Sequence, residues 1–272
     1  MNVGIRLTSL LALSFFISIC NAQIDLLYEQ NQTLTYEEII QAYTDLDLAF
    51  ANGKLYEARN TDSGRKLHVF LISKNEIDQN ATLKEVVNNQ VVVLVNNGIH
   101  PGESCGIDAS ILFARAQLSK KIKGDVVYAI IPVYNIGGCL NRGECSRANQ
   151  DGPEEHGFRG NARNLDLNRD FIKMDALNSK SFTTLFHQLN PHIFVDTHTS
   201  NGADYQYTMT LISTQKDKLN PVLAKYMTGS LEPFLYKNME KKGWEMSPYV
   251  NVFGRTPNDG MAAFLETPRY AS

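Results

Sequence analysis

Five branched apolar residues, Val91-Val92-Val93-Leu94-Val95, run without a polar break into Asn96-Asn97-Gly98-Ile99-His100-Pro101-Gly102-Glu103. A strand that does not alternate polar and apolar positions is apolar on both faces, so it belongs inside a sheet covered on both sides. That requirement points away from helical bundles and half-solvated antiparallel sheets, and toward α/β layers. Similar strands are read over Val126–Val133 and His192–Asp196, and further ones over Leu55–Arg59, Lys66–Ile72, Tyr205–Ile212 and Met261–Glu266. Between them lie helical patterns. Thr35-Tyr36-Glu37-Glu38 reads as a capping box, followed by Ile39, Ile40, Tyr43 and Leu46 on one face. Other helices are expected over Cys105–Leu118, Phe182–Leu189 and Pro221–Lys242. The expected fold is α/β: a three-layer sandwich with a mostly parallel or mixed central sheet covered by helices on both faces.

In such sheets ligands bind at the carboxyl ends of the strands. The loop leaving Val91–Val95 carries His100 and Glu103, and Phe194-Val195-Asp196-Thr197-His198 ends a second strand with another histidine. Two histidines and one carboxylate are the donor set of an open zinc site whose fourth position is left to water, which points to metal-assisted hydrolysis by one Zn2+ ion. Cobalt or manganese suits the same donors. Taken singly, each part has a plain structural explanation. His100 and Glu103 can be a helix cap and a solvated carboxylate, and His198 can be a satisfied core or loop histidine. The three together at two strand ends carry the argument.

The connection from Asn135 to about Asn168 exceeds 30 residues, long for a structureless loop and of a length that usually carries function. It leads into Phe158-Arg159-Gly160-Asn161-Ala162-Arg163-Asn164-Leu165-Asp166-Leu167-Asn168-Arg169-Asp170-Phe171. Guanidinium groups bind carboxylates in a two-pronged fashion and stabilise oxyanions, with asparagines as neutral donors beside them.

His100-Pro101-Gly102-Glu103, then Asp166-Leu167-Asn168-Arg169-Asp170-Phe171, then Asp196-Thr197-His198, in this order, resembles the zinc metallocarboxypeptidase family from about residue 40 onward. The resemblance implies an α/β sandwich with a mixed sheet, with His100, Glu103 and His198 as zinc ligands. It implies that Asn168 and Arg169 bind the substrate's terminal carboxylate. Arg159, nine residues before Asn168, takes the place of the arginine that polarises the scissile carbonyl, with Arg163 as a rival for that role among the substrate-binding residues. Asp166 corresponds to the carboxylate that orients a zinc-bound histidine. Tyr249 is a match for a substrate-covering tyrosine. The family's proton-transferring glutamate lies on a late strand before a closing helix. Glu266 is the candidate here, although the chain stops at Ser272 and leaves no room for that helix. The implied substrate is a peptide with a free C-terminal carboxylate. Two other readings keep the metal: an amidase acting on peptidoglycan stem peptides or acyl-amino acids, and a zinc-binding pseudoenzyme should the general base be missing.

A formal net charge of −3 with no basic cluster gives no hint of a nucleic-acid partner. Arg6, the apolar run from Leu7 to about Ile19 and the small residues ending at Ala22 read as a signal peptide over residues 1–22, too short to span a membrane. Ile19 before Cys20 departs from the small residue of a lipoprotein site, so a secreted or periplasmic chain, a single domain over 23–272, is expected. In that setting Cys139 and Cys145 could pair, while Cys105 is expected to be a small buried residue and at least one thiol stays free. Asn31-Gln32-Thr33 and Asn80-Ala81-Thr82 match the glycosylation acceptor pattern, relevant only in a eukaryotic secretory pathway.

Overall fold

The structure, a computed structural model, describes residues 26–147, 150–200 and 205–249. The leader read over residues 1–22 and the strand read near Met261–Glu266 lie outside the described residues. The chain divides into two compact units, 1–201 and 202–272.

In the first unit the strands are β1 (Gly53–Asn60), β2 (Lys66–Ile72), β3 (Val91–Asn96), β4 (Val126–Ile131), β5 (Arg142–Gly143), β6 (His156–Gly157) and β7 (Ile193–Asp196). The helices are α1 (Tyr36–Ala49), α2 (Leu83–Val87), α3 (Cys105–Leu118), α4 (Ile136–Leu140) and α5 (Leu177–Leu189). The central sheet has the order β1-β2-β4-β3-β7. β1–β2 and β2–β4 run antiparallel, whereas β3 is parallel to both β4 and β7, so the sheet is mixed. β5 and β6 form a separate antiparallel ribbon.

Alternation along β2 sorts the core into two layers. Phe70 and Ile72 face one side, with Tyr43 and Leu46 of α1 and Ile107, Ile111 and Leu118 of α3. Leu67, Val69 and Leu71 face the other, with Phe182, Leu185 and Leu189 of α5. Helices therefore cover both faces, as the strand composition requires. The α1 capping box is complete: Glu38 N–H donates to Thr35 Oγ1 at 3.3 Å, and Thr35 N–H donates to Glu38 Oε2 at 2.7 Å. Such a cap contributes about 1 kcal/mol. Full burial of Ile39 and Leu46 adds roughly 1.5–3 kcal/mol each.

Four expectations for the first unit need correction. β7 is an edge of the sheet among the described residues, not a buried strand, with Phe194 39% and Val195 42% exposed. α5 starts at Leu177, ahead of the expected Phe182, because Asp62 accepts from the Leu177 N–H of its first turn while Asp170 braces the segment just before it. The Asp170 carboxylate accepts from Asp175 N–H, Ala176 N–H and Ser179 Oγ. Cys139 is buried in α4 and Cys145 is exposed, so the two do not pair, and both remain free thiols. Cys105 is exposed, at the start of α3, and its Sγ lies 3.3 Å from Thr199 Oγ1.

The second unit holds β8 (Met209–Leu211) parallel to β9 (Met246–Pro248), with helices α6 (Pro221–Tyr226) and α7 (Glu232–Glu240) between them in sequence. Only Met209–Leu211 of the strand read over Tyr205–Ile212 is extended. The helix read from Pro221 to Lys242 is interrupted by a π-helical turn at Met227–Leu231. Pro233 has no N–H to give the carbonyl one turn back, so the regular ladder breaks there. Asn220 caps α6, its Oδ1 accepting from Val222 and Leu223 N–H at 3.1 and 3.0 Å.

Asp108, on the first turn of α3, is 8% exposed, and burial pushes its carboxyl up to about 6. The folded chain therefore holds this proton more tightly than the unfolded chain, and stability falls as pH rises between the two pKa values. Asp108→Asn removes that charge and is expected to raise stability by about 2 kcal/mol at pH 7. Urea titrations at pH 7 and below pH 4 check this: the gap between variant and parent should close in acid.

Candidate metal centre

The site is built at the carboxyl ends of β3 and β7. Gly98, at φ +64°, turns the chain out of β3 in a conformation that L side chains rarely adopt. Asn96 pairs with Asp196 across the parallel ladder, and Asn96 Nδ2 donates to Asp196 Oδ1 at 2.9 Å. Asn97 ties four segments together. Its Nδ2 donates to the Ile131 carbonyl, and its Oδ1 accepts from Ser110 of α3 and from Thr197 after β7. A Cβ on Gly106 would overlap the Thr197 side chain, so only glycine lets the start of α3 approach the segment bearing His198 this closely.

This frame brings His100, Glu103 and His198 together, with one ligand atom from each lying within 4.8 Å of the others. His100 Nδ1 is 3.0 Å from Glu103 Oε1, and His198 Nδ1 is 2.9 Å from Glu103 Oε2. His100 and Glu103 are each 3% exposed, whereas the His198 side chain is 35% exposed, so the site is open on one side. Each imidazole uses its other nitrogen on an aspartate. His100 Nε2 lies 3.2 Å from Asp166 Oδ1, and His198 Nε2 lies 3.0 Å from Asp196 Oδ2. A carboxylate behind each ligand imidazole fixes its tautomer and ring orientation, as metal-binding histidines require. The donor set and its geometry thus fit a divalent metal ion.

The electrostatics agree. Burial alone would raise the Glu103 carboxyl, but hydrogen bonds from His100 and His198 outweigh it and hold the group far below the usual carboxylate range. Burial likewise opposes ionisation of Asp166, yet His100 and Arg159 bring it down to about 2. Burial disfavours a charged His198, but its bonds to Asp196 and Glu103 raise it to about 10. A metal ion takes the place of such histidine protons on binding.

The remaining sequence candidates divide. Arg159 joins the centre: its Nε and Nη2 each lie 2.9 Å from Asp166 Oδ2, and its Nη1 lies 3.3 Å from His100 Nδ1. Asn168 N–H donates to Asp166 Oδ1 at 3.0 Å, which places Asn168 and the exposed Arg169 one short turn from that carboxylate. Arg163 is directed elsewhere, 3.3 Å from the Asp175 carbonyl and 3.7 Å from Asp62 Oδ1. Tyr249 belongs to the second unit, where its N–H donates to the Leu211 carbonyl and its ring lies 5.8 Å from that of Tyr205. Glu266 lies outside the described residues.

Sequence reasoning missed two side chains. Asp196 could have been found, since a carboxylate two residues before a histidine at a strand end shares its face. Arg147 had no local signal. Its Nη1 donates to Glu103 Oε1 at 2.6 Å, yet 44 residues separate the two.

No family model and no curated protein matches the chain. Solved structures do. The chain is similar to a metallo-carboxypeptidase from Pseudomonas aeruginosa in complex with (2-guanidinoethylmercapto)succinic acid, at 13% identity over 85% of this chain and 56% of that one, with a TM-score of 0.57. It is similar to the carboxypeptidase A from Helicoverpa armigera, at 14% identity over 80% of this chain and 58% of that one, TM-score 0.54. It is also similar to a metallo-carboxypeptidase from Burkholderia cenocepacia, at 16% identity over 80% and 54%, TM-score 0.53. The chain spans a little over half the length of these structures, and at such identities the likeness is one of fold: helices around a mixed central sheet.

Proposed function

We propose that this chain is a zinc metallopeptidase of the carboxypeptidase type, hydrolysing the C-terminal bond of peptides. The observation that carries the reading is the convergence of two histidine Nδ1 atoms and one carboxylate at neighbouring parallel strand ends, each histidine backed by an aspartate. The ligand types favour zinc, and the fold shared with solved metallocarboxypeptidases supports the reaction class. Zinc bound there would supply a water that ionises near pH 7 and would polarise the scissile carbonyl.

The protein's own groups do the rest. Asp166 and Asp196 hold the two imidazoles in their ligating tautomers. Arg159, steadied by Asp166, directs a guanidinium N–H toward the oxygen on which negative charge develops. Asn168 and Arg169 hold the terminal carboxylate of the substrate and so set where the chain is cut. Proton transfer to the leaving amine is assigned to Glu266 and covering of the substrate to Tyr249 on the family resemblance alone. Arg163 is assigned to shaping the loop, since its guanidinium already serves Asp175 and Asp62. The leader over residues 1–22 directs the protein out of the cytoplasm. Among the described residues no helix is long and apolar enough to cross a membrane.

A mixed peptide panel, incubated with the zinc-loaded chain and followed by mass spectrometry with and without a chelator, tests the proposal. The expected result is chelator-sensitive loss of single C-terminal residues. Bound zinc without cleavage of any peptide would overturn the peptidase reading and turn attention to other amides bearing a neighbouring carboxylate, or to a binding role.

A further inference from the structure

We infer that Arg147 is a positioning residue for the metal centre, holding one oxygen of Glu103 in its ligating orientation; this rests on the metal-site reading above. Arg147 stands in the loop between β5 and β6. Its Nη1 is 2.6 Å from Glu103 Oε1, and the two side chains are 7% and 3% exposed. Arg147 Nε is buried and has no hydrogen-bond partner among the described residues. Buried ion pairs seldom add net stability, and one that leaves a donor unpaired adds still less. Stability alone therefore gives no account of placing a guanidinium here.

The surroundings show that the placement is built. On one side of Arg147, Ser146 Oγ donates to the Gly157 carbonyl at 3.3 Å. On the other, Gln150 Nε2 donates to the Gly102 carbonyl at 3.0 Å, the residue next to Glu103. A Cβ on Gly102 would come within 2.8 Å of Arg147 Cδ, so the arginine stem lies directly on the ligand-bearing turn. The ribbon that carries the loop is itself anchored, with Arg142 Nη2 donating to Thr33 Oγ1 at 2.8 Å.

The division of labour at Glu103 gives Arg147 its role. Oε1 faces His100 Nδ1 and Arg147, while Oε2 faces His198 Nδ1 and the Thr199 N–H. A histidine that gives its Nδ1 lone pair to a metal ion cannot also donate from that atom. Among the described residues, Arg147 and the Thr199 N–H are the two donors that remain, one for each oxygen. Together they hold the plane of the carboxylate when the histidines no longer can.

The test is zinc affinity, measured on the full chain by competition with a chromogenic chelator. Arg147→Met, which keeps the stem and removes the donors, is expected to weaken zinc binding by about 10–100-fold, the usual effect of losing an outer partner of a ligand. Arg147→Lys, which restores a charged donor, is expected to recover affinity to within about threefold of the parent. Unchanged or tighter binding by Arg147→Met overturns the inference, as does a lysine variant no better than the methionine one, which would assign the effect to packing. Should Arg147→Met fail to fold, Arg147→Gln decides, because it keeps a neutral polar side chain in place and removes the guanidinium. A several-fold loss supports the inference and an unchanged affinity overturns it. Failure of the parent chain to bind zinc would instead sink the metal-site reading itself, and that arm is read independently of any variant.

Discussion

Glu103→Gln is expected to leave the protein folded but without stoichiometric zinc, and to lower peptide hydrolysis by about three orders of magnitude. The reasoning starts from burial. Glu103 is 3% exposed and faces four donors: His100, His198, Arg147 and the Thr199 N–H. Glutamine keeps the shape but replaces one acceptor oxygen with an NH2 group that must face one of these donors. The mismatch costs about 1–3 kcal/mol of stability. A 272-residue chain with two core layers tolerates that loss. Metal binding at the proposed site would not tolerate it, because the only anionic member of the His100–Glu103–His198 set has become neutral. On the proposed reading, loss of the ion would remove the activated water and the carbonyl polarisation together, several kcal/mol of transition-state stabilisation and hence about 10³ in rate. Metal analysis after dialysis, thermal melting and peptide turnover should be read on one preparation. A variant that retains one zinc per chain and parental turnover would show that Glu103 is not a ligand.

The fold was largely legible because its signals are local. The uninterrupted Val91–Val95 run, the Thr35/Glu38 box and the apolar face of α1 each reflect neighbours within a few residues, and each appears in the structure with its expected partners. The clustering of His100, Glu103 and His198 was legible for a related reason: they lie on the segments leaving two neighbouring parallel strands, which the topology gathers at one edge. What sequence could not convey is direction over distance. Arg163 and Arg159 look alike by spacing, yet Arg163 is drawn off by Asp62, just over a hundred residues earlier, which also accepts from Asn161 Nδ2 and Leu177 N–H. Arg147 reaches Glu103 only because two two-residue strands fold a loop back over the turn, and strands that short leave no periodicity to read. The start of α5 was displaced because Asp62, 115 residues earlier, accepts from the Leu177 N–H, while Asp170 braces Asp175 and Ala176 just ahead of the helix. Cys139 and Cys145 are close in sequence, but α4 carries one into the core and leaves the other outside.

Asp166 is where the second large effect is expected, because three functional threads meet at one carboxylate. Its Oδ1 lies 3.2 Å from His100 Nε2 and accepts from Asn168 N–H, while its Oδ2 takes Arg159 Nε and Nη2. Asp166→Ala cuts all three at once. Zinc affinity is expected to fall about 10–100-fold through the freed imidazole. Turnover at saturating zinc is expected to fall by a further factor of about 100 as Arg159 loses its anchor. Asp166→Asn separates the threads. Its amide oxygen can still accept from His100 Nε2 and Asn168 N–H, so zinc affinity should stay within several-fold of the parent. Its NH2 group, however, confronts the Arg159 guanidinium with a second donor, so kcat should fall while zinc is retained. The order of the two variants is therefore the decisive quantity: alanine losing both metal and rate, asparagine losing mainly rate. Parental zinc affinity and parental turnover in Asp166→Ala would mean that His100 needs no support from behind. In that case the aspartate serves only to close the short turn at Leu167–Arg169.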